Sequence, residues 1–166
     1  MKTIEFWKMN GCGNDFILID NRDGIVPEKE KGPLVKRVCR RRESVGADGL
    51  IFVEKSEKHD FAWRFFNADG GEAEMCGNGG RCVARFAFLK GIAGPKMTFD
   101  TLAGPISAQV SGRIVKVLMP VPTGLRLDID LSPRARMAER RFHQHRRTPC
   151  GGPGGRSRIT SRRSAG

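Results

Sequence analysis

Phe65-Phe66-Asn67-Ala68-Asp69-Gly70-Gly71-Glu72-Ala73-Glu74-Met75-Cys76-Gly77-Asn78-Gly79-Gly80-Arg81-Cys82 is the stretch on which the fold turns. Phe65 and Phe66 close an apolar run that starts at Phe61, as a strand does. Asn67 to Gly71 supplies turn residues. From Arg81 to Lys90 the pattern changes. Val83, Ala84, Phe86, Ala87, Phe88 and Leu89 are apolar nearly all round, which predicts a buried helix.

Working outward, residues 4–9 partly alternate and residues 16–19 form a short apolar run. Both suit strands, with a turn over residues 11–15 between them. Residues 33–42 suit a helix with Leu34, Val35 and Val38 inward. Residues 50–53 and 61–66 are further strands, and residues 96–102, 106–110 and 114–119 are three more. Strands dominate, with two helices among them. The expected class is α+β: a curved mixed or antiparallel sheet wrapped around the apolar helix at 81–90, not a doubly wound fold.

The 166 residues suffice for one ordinary domain or two small ones, and 39% hydrophobic content is enough for a packed core. No run of about 18 apolar residues suggests a membrane span. The opening Met1-Lys2-Thr3-Ile4-Glu5-Phe6 lacks the apolar core of a signal peptide, so a cytoplasmic protein is expected. Five cysteines in that setting are expected to be reduced, buried or catalytic.

The net charge of +12 raises nucleic acid as a partner, but its location argues otherwise. Residues 1–131 carry 20 Lys/Arg against 17 Asp/Glu. Residues 132–166 carry ten arginines, no lysine and one acid. Two segments are therefore expected: a folded one at 1–131, and an Arg/Gly-rich disordered tail at 132–166. The tail holds Arg140-Arg141, Arg146-Arg147 and Arg162-Arg163 but no aromatic stacking residue beyond Phe142. A nucleic-acid-binding tail is thus the alternative function, and the main reading has no nucleic-acid and no membrane partner.

The order strand, polar loop, cysteine, glycine turn, helix puts Cys76 at or just before a helix N-terminus. A thiolate there is favoured by the positive end of the helix macrodipole. Gly77, Gly79 and Gly80 allow a ligand close to the backbone, and the free N–H groups of a first turn suit a carboxylate. A thiolate beside a carboxylate cradle suits proton abstraction at the α-carbon of an amino acid. The competing reading is structural, since a lone cysteine near a glycine turn more often only packs. Cys82 and Cys39 read as core residues, and Cys12 as ambiguous. A metal site at Cys76 and Cys82 lacks a second ligand pair at zinc spacing.

Asn67-Ala68-Asp69-Gly70 with Met75-Cys76-Gly77-Asn78-Gly79-Gly80-Arg81-Cys82 resembles the N-terminal active-site signature of the diaminopimelate epimerases. Lys8-Met9-Asn10-Gly11-Cys12-Gly13-Asn14-Asp15-Phe16, Val45-Gly46-Ala47-Asp48-Gly49-Leu50 and Thr101-Leu102-Ala103-Gly104 are similar to further segments of that family, in order over residues 1–131. The resemblance implies two like lobes, each a curved sheet around a helix, with the active site between them. It implies inversion of one stereocentre of LL-diaminopimelate to give the meso form, for lysine and cell-wall synthesis. Two cysteines on opposite faces of the α-carbon do this without pyridoxal phosphate, other cofactor or metal. By position, Cys76 is one acid/base, and Asn14, Asn67, Gly77 and Asn78 bind substrate. Gly49 departs from members with glutamine there. For Asn14 and Asn67 the alternative is a turn-forming asparagine. Proline-racemase-like enzymes usually carry His where this chain has Asn78, and phenazine-biosynthesis-like isomerases lack the cysteine. The resemblance also admits a homodimer for full-length members.

The second lobe, with its second cysteine, is not expected within these 166 residues, so the chain by itself is expected to be inactive. Cys150 precedes no apolar helix and is not taken as the partner base. The tail reads as out-of-frame translation. With permitted codons, residues 143–150 read one base later encode Ile-Asn-Thr-Gly-Val-Pro-His, which resembles a second-lobe segment. The frame break is placed between Leu131 and His143.

Overall fold

The computed structural model describes residues 3–122. Eight strands make one sheet: β1 (Trp7–Gly11), β2 (Asn14–Asp20), β3 (Gly49–Glu54), β4 (Phe61–Asn67), β5 (Glu72–Ala73), β6 (Lys96–Thr101), β7 (Gly104–Ser111) and β8 (Ile114–Val117). Helix α1 (Glu28–Val38) joins β2 to β3, and α2 (Gly77–Leu89) joins β5 to β6. The spatial order is β1-β2-β3-β4-β6-β7-β8, with β5 a short addition to β4. The β2–β3 and β4–β6 pairs are parallel because each is bridged by a helical crossover; all other pairs are antiparallel. The class is α+β, as expected.

Alternation along the central strands splits the core in two. Leu18, Ile51, Val53, Trp63 and Phe65 join the cluster around α2. Ile17, Ile19, Leu50, Phe52 and Phe66 point the other way and join Val35 of α1. The sheet curls so that α2 touches β1, β2, β3, β7 and β8. Phe86 of α2 meets Trp7 edge-on at 5.5 Å, and Phe61 stacks on Phe99 at 5.0 Å. Each such ring contributes roughly 1.5–3 kcal/mol by burial.

Three local expectations need correction. Helix α1 begins five residues before Pro33 and ends at Val38, not Arg42. Pro33 lies inside it, tolerated in a helix whose Val35 is fully buried. Arg42 and Gly46 have φ of 70° and 73°, so the chain turns there. Helix α2 is not buried all round, since Phe88 and Leu89 near its end are exposed. Strand β5 had no apolar pattern to announce it; it is held by Arg64 on β4, which binds Glu72 and, at 2.8 Å, Glu28 of α1. The tail expectations, Cys150 included, lie outside the described residues.

Candidate active site

Asn14, Cys76, Gly77 and Asn78 come together where the β1–β2 hairpin meets the start of α2. The hairpin turn is Cys12-Gly13, with φ of 53° and 92°, both positive as a two-residue type I′ turn requires. Gly11 lets it approach α2: a Cβ there would lie 2.8 Å from the Asn78 carbonyl oxygen and 2.9 Å from Cys82 Sγ. No larger residue fits without moving the hairpin.

Cys76 is the N-cap of α2, with extended backbone, and its sulfur accepts the Gly79 N–H at 3.5 Å. Sulfur is a weak acceptor, and Ser or Asp would cap the helix better. The first turn has no acidic residue either. The positive end of the helix dipole is therefore left to the Cys76 sulfur and to whatever binds there. The N–H groups of Gly77 and Asn78 have no acceptor within the helix by geometry. Met119 lies over Gly77, its Sδ 3.2 Å from where a Cβ would sit.

Asn78 donates to Asn14 Oδ1 at 2.7 Å, and Asn14 donates to Asp48 Oδ2 at 3.2 Å. Arg81 donates to Asn78 Oδ1 and, at 3.1 Å, to Cys12 Sγ. Asn67 ends β4 at the same edge: its register partner is Gly49, and the next N–H, of Ala68, donates to the Asp48 carbonyl at 3.1 Å. Asn67 takes part in the 67–71 turn through its backbone, its carbonyl accepting the Gly70 N–H at 2.8 Å and its N–H donating to the Gly71 carbonyl at 2.9 Å. The hairpin is held by Asn10, whose Oδ1 accepts the Gly13 N–H, and the 67–71 turn by Asp69, whose Oδ1 accepts the Gly71 N–H. The exposed Asn67 amide engages none of the described residues.

Cys82 and Cys39 are buried; burial pushes the first thiol up to about 12 and the second up to about 11. Both are core residues, as expected. Among the described residues, Cys39, Cys76 and Cys82 are free thiols. Gly49 packs closely in this chain: a Cβ there would stand 2.7 Å from the Phe66 carbonyl oxygen and 2.6 Å from the Phe65 ring, so a larger residue requires a local shift.

Asp48, Arg41 and Arg81 were not singled out from the sequence as site residues. Asp48 bonds Asn14 and Arg81 reaches Cys12 across long stretches of chain, so only the matched segments at 45–50 and 75–82 hinted at these two. Two hollows, one between α1 and residues 4–26 and one beside Trp7 and Lys90, lie away from Cys76. Cys76 is instead half-buried at the start of α2, with Met119 over the neighbouring Gly77. Among the described residues, no helix is long and apolar enough to cross a membrane.

The family profile described as "Diaminopimelate epimerase" matches residues 6–123. A diaminopimelate epimerase of Aquifex aeolicus is 49% identical over 130 residues, covering 72% of this chain and 47% of that protein. One from Archaeoglobus fulgidus is 50% identical over 123 residues, covering 72% and 44%. The chain thus spans about half the length of the curated relatives it matches. Among solved structures, a phenazine biosynthesis protein of the PhzF family from Bacillus anthracis has a TM-score of 0.57 at 24% identity, over 70% of this chain and 40% of that one. A hydroxyproline epimerase from Agrobacterium vitis has a TM-score of 0.55 at 15% identity, over 70% and 41%. These two likenesses speak to the fold alone.

Proposed function

The chain belongs to the diaminopimelate epimerase family, and on that premise we propose that it is the N-terminal half of an enzyme that inverts LL-diaminopimelate to the meso form, with Cys76 as one of two proton-transfer groups. The observation that carries this reading is Cys76 itself: a poor cap kept at the start of a helix whose first turn is Gly-Asn-Gly-Gly.

In this reading the substrate carboxylate rests on the N–H groups of Gly77 and Asn78, with the amides of Asn14 and Asn67 beside it. The Cys76 thiolate takes the α-proton, breaking the C–H bond and forming S–H. The electron pair passes into the carboxylate, where the first-turn N–H groups and the helix dipole stabilise the growing charge. A thiol on the opposite face returns a proton, and the configuration is inverted. That second thiol belongs to a half that the described residues do not include. Met119 lies over Gly77 at this edge, and that half would cover it, keeping water from the carbanion. Residues 1–131 are the lobe, and the 132–166 tail is read as out-of-frame.

Joining residues 1–131 to the second half of the Aquifex aeolicus relative tests this. The hybrid should epimerise diaminopimelate, and Cys76→Ala should cut the rate by about a thousandfold. A folded hybrid without turnover refutes the reading. The 166-residue chain alone should show no turnover to the meso isomer. Resequencing the gene across residues 131–143 should find a gained or lost base.

A further inference from the structure

The two ends of an asparagine amide are told apart by what they bond. Here both termini of a four-member chain are charged. Asp48, at one end, can only accept when ionised, so it takes the Asn14 NH2. That turns the Asn14 carbonyl toward the Asn78 NH2 at 2.7 Å. The Asn78 carbonyl is then turned to Arg81, which can only donate. An anion and a cation together leave the two amides one orientation.

Asp48 is held for this task from four directions. Its Oδ2 also accepts the Asp15 N–H at 2.9 Å, and its Oδ1 accepts Arg41 at 2.9 Å. Its own N–H donates to the Asp15 carbonyl at 2.9 Å, and its carbonyl accepts Ala68 N–H beside Asn67. One residue thus ties the hairpin that carries Asn14 to the turn that carries Asn67.

We propose that Asp48 is the positioning residue of this site: its carboxylate sets the orientation of the Asn14 amide, and through it that of Asn78, so that their remaining N–H groups line the carboxylate cradle beside Cys76. This rests on the proposed function above. Asp48 touches no reacting atom; it acts through Asn14. Burial pushes its carboxyl up, but the bonds from Arg41, the Asp15 N–H and Asn14 outweigh this, and the group stays below the ordinary carboxylate value. Arg41 and Asp15 face it directly, Cys39 lies near it, and Lys8 stands 3.9 Å from Asp15.

Alkylation of Cys76 in the full 166-residue chain provides the test, with iodoacetate and iodoacetamide each normalised to glutathione. The unaltered chain should favour iodoacetate, whose carboxylate fits the cradle. An asparagine at position 48 offers either end of its amide, so the single orientation is lost. Asp48→Asn should lower the iodoacetate preference about fivefold, the effect of one neutral hydrogen bond. Loss of a negative charge alone acts in the opposite direction and raises that preference. Asp15→Asn removes a charge from the same arginine without touching the Asn14 amide, and should leave the preference unchanged or raised. A preference that holds or rises in Asp48→Asn overturns the positioning role. No preference in the unaltered chain overturns the site reading on which it rests. If Asp48→Asn does not fold, side-chain amide NMR of the unaltered chain decides. The Asn14 and Asn78 signals should shift together as Asp48 takes up a proton, and a shift of Asn14 alone overturns the proposal.

Discussion

The two helices use the same physics to opposite ends. Helix α1 satisfies its own dipole: Glu28 and Glu30 lie in its first turn, Lys36 and Arg37 in its last. Its Lys31, 4% exposed in the side chain, is held at 2.6 Å by both Glu28 and Glu54. Helix α2 has no acid in its first turn, no base in its last, and a sulfur as its cap. Its start is held by close packing instead, through Gly11 against Asn78 and Gly79 against Ile51 and Trp63. A helix that leaves its positive end unneutralised beside a thiol gives up local stability and gains a place for an anion. Around α1 charge is used to hold the fold; at the start of α2 it is left available for chemistry.

The sharpest contrast is in thiol reactivity. Near pH 8 the raised values leave Cys39 and Cys82 with about one thiolate in a thousand or fewer. Cys76 should therefore be alkylated more than about a hundredfold faster than either, as read by peptide mass spectrometry. Equal rates would break the contrast. The same two thiols set an alkaline limit. Their folded values lie above the unfolded value of 9.0, so the stability they carry is complete below pH 9 and is lost as pH rises toward 11–12. Urea melts from pH 8 to 11 should show that decline.

Packing should come next in size. Phe86→Ala, at a 1% exposed position against Trp7, should cost about 3–5 kcal/mol in urea unfolding. Gly11→Ala should cost about 1–3 kcal/mol by pushing the hairpin off α2. A Gly11→Ala chain as stable as its parent would show that the hairpin is not clamped to α2. On the α1 side, Glu28→Gln should cost under about 1 kcal/mol, because that side chain is 63% exposed and its pairs are screened. The smallest change should have the opposite sign. Cys76→Ser supplies a better cap and should raise stability by about 0.5 kcal/mol while removing the proposed acid/base. A loss of stability there would mean that the sulfur serves packing, as the structural reading of this cysteine holds.

Most elements were legible because burial writes a period into the chain. The apolar runs at 16–19 and 50–53 marked strands, and only the structure showed that Leu18 and Ile51 face one core while Ile19 and Phe52 face the other. Strand β5 carried no such period, since its pairing depends on Arg64 and Glu72. The start of α1 was misplaced because Pro33 reads as a helix start, whereas Glu28 and Lys31 hold the preceding turn. In the site, Cys76 and its glycines were legible as one local pattern, and the place of Cys76 at the helix start is as expected. The bonds of Asn14 to Asp48 and Asn78 were not, since an asparagine beside glycine reads equally well as a turn residue.

By itself, then, the sequence determined the α+β class, the apolar helix inside a curved sheet, and a cysteine at that helix's start. These follow from neighbouring residues, whose spacing alone decides which face they share. The tertiary structure decided which residues Asn14 and Asp48 meet, how closely Gly49 packs, and what orients the Asn14–Asn78 pair. Each of those depends on a contact across many residues: Asn14 with Asp48 and Asn78, Gly49 with Phe66. Such contacts are set by how the sheet curls and where the hairpin lands on α2, and no local period in the chain records them.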